Sequence, residues 1–173
     1  DQYYSQSIKL LIATYFLTVK VWPVEIWPLL PEEIDQLRIE SFGDLNNGQA
    51  GINQALNYLN IAKRNKSKKV AWWTKRPQII KKALETMRKP RNLSIVYSLP
   101  FINGLKTKAE TMHFIDFIKK TFSFVDHVFI VFTSKEKAAE YDFTVNCGAR
   151  SCKKCQRCYF KKLKDFIVIE LLK

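Results

Sequence analysis

This sequence predicts an α/β fold: a partial (β/α) barrel or open parallel sheet, with a C-terminal Cys-rich metal or cluster loop. Three observations carry that expectation. Short β-branched and aromatic runs alternate with apolar residues at helical spacing, a pattern that builds parallel strands joined by right-handed crossovers. An apolar fraction of 47% and an aromatic fraction of 13% over 173 residues suit one globular domain with its own core. All four cysteines, Cys147, Cys152, Cys155 and Cys158, fall in a single twelve-residue stretch near the end of the chain.

The single domain, 1–173, divides into an N-terminal helical segment (1–36), β/α repeats (37–146), and the cysteine loop with a terminal element (147–173). Leu10 to Val19 is apolar but bounded by Lys9 and Lys20, with Pro23 and Pro28 close behind. It is too short to span a bilayer and reads as a buried helix. The start Asp1-Gln2-Tyr3-Tyr4 lacks a basic n-region and no small-residue cleavage site follows, which argues against a signal peptide.

Pro23, Pro28 and Pro31 punctuate a Trp-rich connection, and the alternation Leu37-Arg38-Ile39-Glu40-Ser41 is the first strand. Gly43 and Asn46 to Gly48 mark a loop, then Ile52, Ala55, Leu56 and Leu59 recur at helical spacing up to Lys63. Val70-Ala71-Trp72-Trp73 reads as a buried strand. Pro77 suits the first turn of the next helix, whose stripe is Ile80, Ala83, Leu84 and Met87 and whose stop is Pro90. Leu93 to Tyr97 is the third strand. Thr107 with Glu110 makes a capping box before a helix bearing Met112, Ile115 and Ile118, His127 to Phe132 is the fourth strand, and Phe166 to Ile169 the fifth.

The spacing C-x4-C-x2-C-x2-C lets backbone turns aim neighbouring sulfurs at one ion or cluster. Two local disulfides would staple no distant segments and are disfavoured in a chain large enough to bury a core. Tetrahedral zinc suits the set. So does an iron-sulfur cluster, since the opening matches plant-type ferredoxins and the tight triple the bacterial run, although neither pattern is matched in full. Arg150, Lys153, Lys154, Arg157, Lys161, Lys162 and Lys164 surround the thiolates and would offset their charge or hold phosphate.

The net charge of +13 is concentrated. Residues 62–91 hold twelve basic groups against Glu85 alone, and 147–173 hold eight against Asp165 and Glu170, so these two segments hold all the excess. If residues 62–91 and 150–164 share a face, they would attract nucleic acid or another polyanion; a solvated basic face is the bland alternative.

In a β/α architecture ligands lie at the C-terminal ends of the strands. Polar residues gather there: Glu40, Ser41 and Asp44, then Thr74-Lys75-Arg76, Ser98, and Thr133-Ser134. Lys75 and Arg76 suit a phosphate or carboxylate, and Glu40 or Asp44 a ribose hydroxyl or a base's role. Walker, G-x-G-x-x-G, H-E-x-x-H and G-x-S-x-G motifs are missing, and His113 and His127 read as structural. No catalytic residue is named by the sequence.

The series Ile39-Glu40-Ser41-Phe42-Gly43-Asp44-Leu45, Trp72-Trp73-Thr74-Lys75-Arg76-Pro77, Pro90-Arg91-Asn92-Leu93-Ser94 and the cysteine tail resembles the gene-product-eighty-eight-like proteins of phages and prophages, over roughly residues 37 to 160. Members look distantly like radical-SAM-type β/α barrels. The resemblance implies an iron-sulfur cluster, [4Fe-4S], rather than zinc, and a phage-infected or prophage-bearing bacterial cytoplasm. Members commonly carry a further upstream cysteine motif, whereas this chain has no cysteine before Cys147 and no C-x3-C-x2-C triplet. Four ligands would saturate a cluster and suit structure or electron transfer. The alternatives are a zinc-stabilised nucleic-acid-binding module and a structural phage protein with a metal staple. Oligomeric state is not encoded in any motif.

Overall fold

The protein, described by a computed structural model over residues 17–39, 44–147, 155–159 and 166–172, is organised around one parallel sheet. Its strands are β1 (Gln36–Ile39), β2 (Lys69–Thr74), β3 (Leu93–Ser98), β4 (His127–Phe132) and β5 (Ile167–Leu171), hydrogen-bonded in chain order. Every pairing is parallel, with Leu37 opposite Val70, Trp72 opposite Ile95, Val96 opposite His127 and Phe129 opposite Val168. The crossovers carry α1 (Gly48–Arg64), α2 (Pro77–Thr86), α3 (Lys108–Thr121) and the short α4 (Lys135–Ala139). The sheet is open, with β1 and β5 at its edges.

Strands added in one direction by right-handed crossovers receive their helices on one face. Alternation within each strand separates the faces. Val70 and Trp72 of β2, Leu93 and Ile95 of β3, and Val128 and Ile130 of β4 join Leu59 of α1, Ile80 of α2 and Ile115 of α3 in one apolar core. On the opposite face Ala71, Trp73, Val96, Phe129 and Val168 pack instead with Cys158 and Tyr159. The helix-covered side is the outer face here, and the cysteine-covered side the inner face.

Helix ends follow the local chemistry. Thr107 Oγ1 accepts from the Glu110 amide at 3.1 Å, Pro77 opens α2, and Met87 breaks into extended backbone before Pro90 is reached. Ser134, which the sequence places among rim polar groups, caps the unanticipated α4 by accepting from the Lys137 amide. Glu40 and Ser41, expected at the end of β1, lie outside the described residues, as does most of the expected first helix. Leu17 to Val19 are helical, and Leu17 is buried in the outer core.

The connection from Lys20 to Pro31 has no strand partner, so its backbone groups need other acceptors and donors. A stripe of asparagines supplies them. Asn57 donates to the carbonyls of Leu17 and Lys20 and accepts from the Trp22 amide, all at 2.8 Å. Asn53 donates to Thr18, Asn60 to Trp22, and Asn65 accepts from the Leu30 amide. Among the described residues no helix is long and apolar enough to cross a membrane.

Candidate functional site

Both described ends of the cysteine stretch are anchored to the sheet. Asn146 acts as a surrogate strand against β5: its side chain accepts from the Ile169 amide at 2.9 Å and donates to the Ile167 carbonyl at 3.0 Å. The Cys147 amide then donates to Ile169 O at 2.9 Å, extending the ladder past β5. At the other end Lys69, at the start of β2, donates to Gln156 Oε1 at 2.8 Å. Gln156 has φ of 52°, a left-handed conformation that a non-glycine residue adopts only under constraint, and it bends the chain between Cys155 and Cys158. The 3-10 turn Arg157–Tyr159 follows, closed by the Tyr159 amide on Gln156 O.

That geometry lays Cys158, 7% exposed, on the inner face, while Cys147 packs half-buried against the same cluster. Cys155 is half-buried and Cys152 lies outside the described residues. Among the described residues no three His, Cys, Asp or Glu side chains form a metal-holding group.

The wall beneath the turn is aromatic. Trp73 meets Phe129 and Tyr159 edge-on at centroid separations of 6.5 and 6.4 Å, and the Arg38 guanidinium stacks 4.0 Å from its ring centre. Such a wall excludes water and lowers the local dielectric. Two polar hydrogens within it lack an acceptor among the described residues: Trp73 Nε1–H and Ser94 Oγ–H. Ser94 is fully buried and pairs in register with Ala71, whose small side chain belongs to the same inner cluster. Buried donors without acceptors are disfavoured by a few kcal/mol, roughly 1–3 each, and in a native fold signal a missing partner. Sulfur-rich groups accept such hydrogen bonds, so the donor set fits a thiolate-bound ion or cluster.

At the C-terminal ends of the strands the structure brings Asp44, Thr74, Lys75 and Arg76 together. Asp44 accepts from Thr74 Oγ1 at 2.8 Å, from the Lys75 amide at 2.7 Å and from its neighbour's amide, Leu45, at 2.8 Å. Thr74 Oγ1 in turn accepts from the Arg76 amide, and Arg76 Nη1 donates to Leu45 O and Asn47 Oδ1. These bonds latch the loop entering α1 to the turn entering α2. Lys75 is exposed. Ser98 ends β3 on the inner-face register, apart from this latch, and Glu40 lies outside the described residues. Burial pushes the phenol of Tyr97 above its ordinary range, and the Asp44 carboxylate adds in the same direction.

The basic residues of 62–91 do not share one face. Lys63, Arg64, Lys66, Lys68, Arg88, Lys89 and Arg91 gather where strands begin, Lys75 and Arg76 sit where β2 ends, and Lys81 and Lys82 lie exposed on α2. Several have internal duties. Lys68 donates to Glu32 O, and Lys89 pairs with Asp126 and donates to Phe124 O. Burial pulls the Lys89 pKa down against the opposing pull of Asp126. Of 150–164 only residues 155–159 are described.

Sequence reasoning passed over Trp73, Ser94 and the Lys69–Gln156 clamp. A signal existed: Lys69, Ala71 and Trp73, then Ser94 and Val96, occupy one set of alternate positions on neighbouring strands and include polar or small residues, while the other set is aliphatic or aromatic. No family model, curated protein or solved structure matches this chain.

Proposed function

We propose that this is an iron-sulfur protein of the gene-product-eighty-eight-like kind, working in a bacterial cytoplasm during phage infection or prophage carriage. Cys147, Cys152, Cys155 and Cys158 hold a [4Fe-4S] cluster over the inner face of a partial β/α barrel. The observation that carries this reading is the double anchoring of the motif, by Asn146 on β5 and by Lys69 on β2, which commits Cys147 and Cys158 to one aromatic surface. A bound cluster supplies one-electron transfer or a structural staple, and four thiolates leave no open iron for a substrate. Trp73, Phe129 and Tyr159 keep water from it. At the rim, Lys75 and Ser98 remain candidate contacts for an anionic substrate. Asp44, Thr74 and Arg76 shape that rim through the latch.

Anaerobic purification followed by iron, zinc and acid-labile sulfide analysis tests the reading. About four irons and four sulfides per chain are expected from a [4Fe-4S] site. Colourless, iron-free protein would overturn it, and one zinc without sulfide would replace the cluster with a structural zinc site.

A second reading, a zinc-stabilised module that binds nucleic acid, is favoured by the cations clustered where the strands begin, of which Lys63, Lys66, Arg88 and Arg91 are exposed. It predicts weak, sequence-indifferent binding that falls steeply with salt. Absent or salt-insensitive binding to DNA and RNA rejects it.

A further inference from the structure

We infer that Ser94 Oγ–H and Trp73 Nε1–H are the hydrogen-bond donors that tune the metal centre, each directed to a sulfur atom of the bound cluster. The inference rests on the cluster reading above and assigns residues outside the cysteine motif. Both atoms are buried without an acceptor among the described residues. Ser94 is 0% and Trp73 6% exposed, so water from bulk solvent does not serve them. They lie on adjacent strands of the inner face: Ser94 is opposite Ala71 and Trp73 opposite Val96, and both Ala71 and Val96 pack with Cys158. Lys69, one residue before Val70 on the same strand, fixes the turn that brings Cys158 there.

The outer face supplies a contrast. Trp72 Nε1 is likewise buried without a partner, yet its ring packs edge-on against Tyr58, whose hydroxyl already accepts from Gln54 Nε2 at 3.0 Å, and no cysteine belongs to its core cluster. On the inner face Trp73 packs in one cluster with Cys158 and Cys147, and Ser94 lies opposite Ala71 of that cluster. Sulfur is a weak acceptor when neutral and a good one when it carries the charge of a thiolate or sulfide, so these donors gain their partner only when the centre is loaded.

Hydrogen bonds to cluster sulfurs stabilise the form with the additional negative charge. Uptake of one electron from an external reductant converts the cluster from the 2+ to the 1+ core state, so donors raise the reduction potential. Ser94→Ala and Trp73→Phe each remove the donor: the alanine differs by one hydroxyl, and the phenylalanine, though smaller than the indole, retains a ring against Phe129 and Tyr159.

The test is a dithionite titration of anaerobically purified full-length wild type and both variants, followed by electron paramagnetic resonance of the reduced cluster. Each variant is expected to keep its iron and sulfide and to titrate at a more negative potential. The reduced-to-oxidised ratio at a fixed potential should fall about tenfold, the scale typical of outer-shell partners. Superimposable titrations at full cluster content overturn the inference and leave the cluster reading standing. Wild type without iron and sulfide sinks the cluster reading itself. If Ser94→Ala loses its cluster, the potential of Trp73→Phe decides.

Discussion

The two faces of this sheet are built from alternate residues of the same strands and are covered by different materials. Trp72 and Trp73 make the comparison directly. Trp72 is fully buried in the outer core, edge-on to Tyr58 of α1 at 5.2 Å. Trp73 faces a cysteine-bearing turn, with Arg38 stacked on its ring and Tyr159 at its edge. The outer face of the strands is mainly apolar packing, and the buried polar groups of the helices over it, such as Gln54 and Asn57, are satisfied by internal hydrogen bonds. The inner face mixes aromatic walls with polar groups such as Ser94, Lys69 and His127, an arrangement unfavourable for stability alone. Polar residues placed where apolar ones would pack better mark the face that serves function.

Breaking the outer face should have the largest effect. Trp72→Ala is expected to lower unfolding free energy by about 4 kcal/mol through a large cavity among helices, equally with and without metal. Urea unfolding under both conditions checks this. A loss that depended on metal would erase the distinction between the faces, whereas Trp73→Phe should leave most of the stability intact.

A smaller effect sharpens the boundary of the outer layer. Asn57→Ala removes three bonds to the Leu17–Trp22 backbone and should destabilise by roughly 2 kcal/mol. Limited proteolysis should then cut within residues 17–31 well before the sheet is attacked. Unchanged protection would mean that apolar contacts, rather than the asparagine stripe, hold that segment.

The smallest effect lies where the outer core meets the rim. Tyr97 carries a raised pKa in the folded protein, so below its ordinary value of 10.0 both states keep the proton and nothing is lost. Above 10.0 the unfolded chain releases its proton first, and stability falls as pH rises through the folded pKa. Tyr97→Phe should flatten this alkaline decline in thermal melts between pH 9 and 11, about one unit either side of the phenol's ordinary value.

Much of the architecture was legible in the residues. The strand runs, the Pro77 helix start and the Thr107 cap all sit where periodicity and capping chemistry put them, because those signals are local. Asn53, Asn57 and Asn60 were not legible: at helical spacing they read as a solvated face, and only the backbone laid across them makes them internal. Ser134 reads as a rim group in the sequence because the helix it caps is just five residues long, too short for a periodic stripe. Asp44 and Arg76 stand at the ends of strands, as their positions in the sequence imply, but their bonds to Thr74, Lys75 and Leu45 join loops about 30 residues apart in the chain. The cations of 62–91 are one block in sequence, yet a strand and a helix carry them to opposite ends of the sheet.

By itself the sequence determined the order of parallel β/α units and the gathering of every cysteine in one stretch, since periodicity, caps and ligand spacing depend on near neighbours. Tertiary structure alone decided which side of the sheet Cys147 and Cys158 cover. Alternate residues of a buried strand become inner or outer only when crossovers of one hand commit the helices to a single face, leaving Ser94 and Trp73 beneath the cysteine turn.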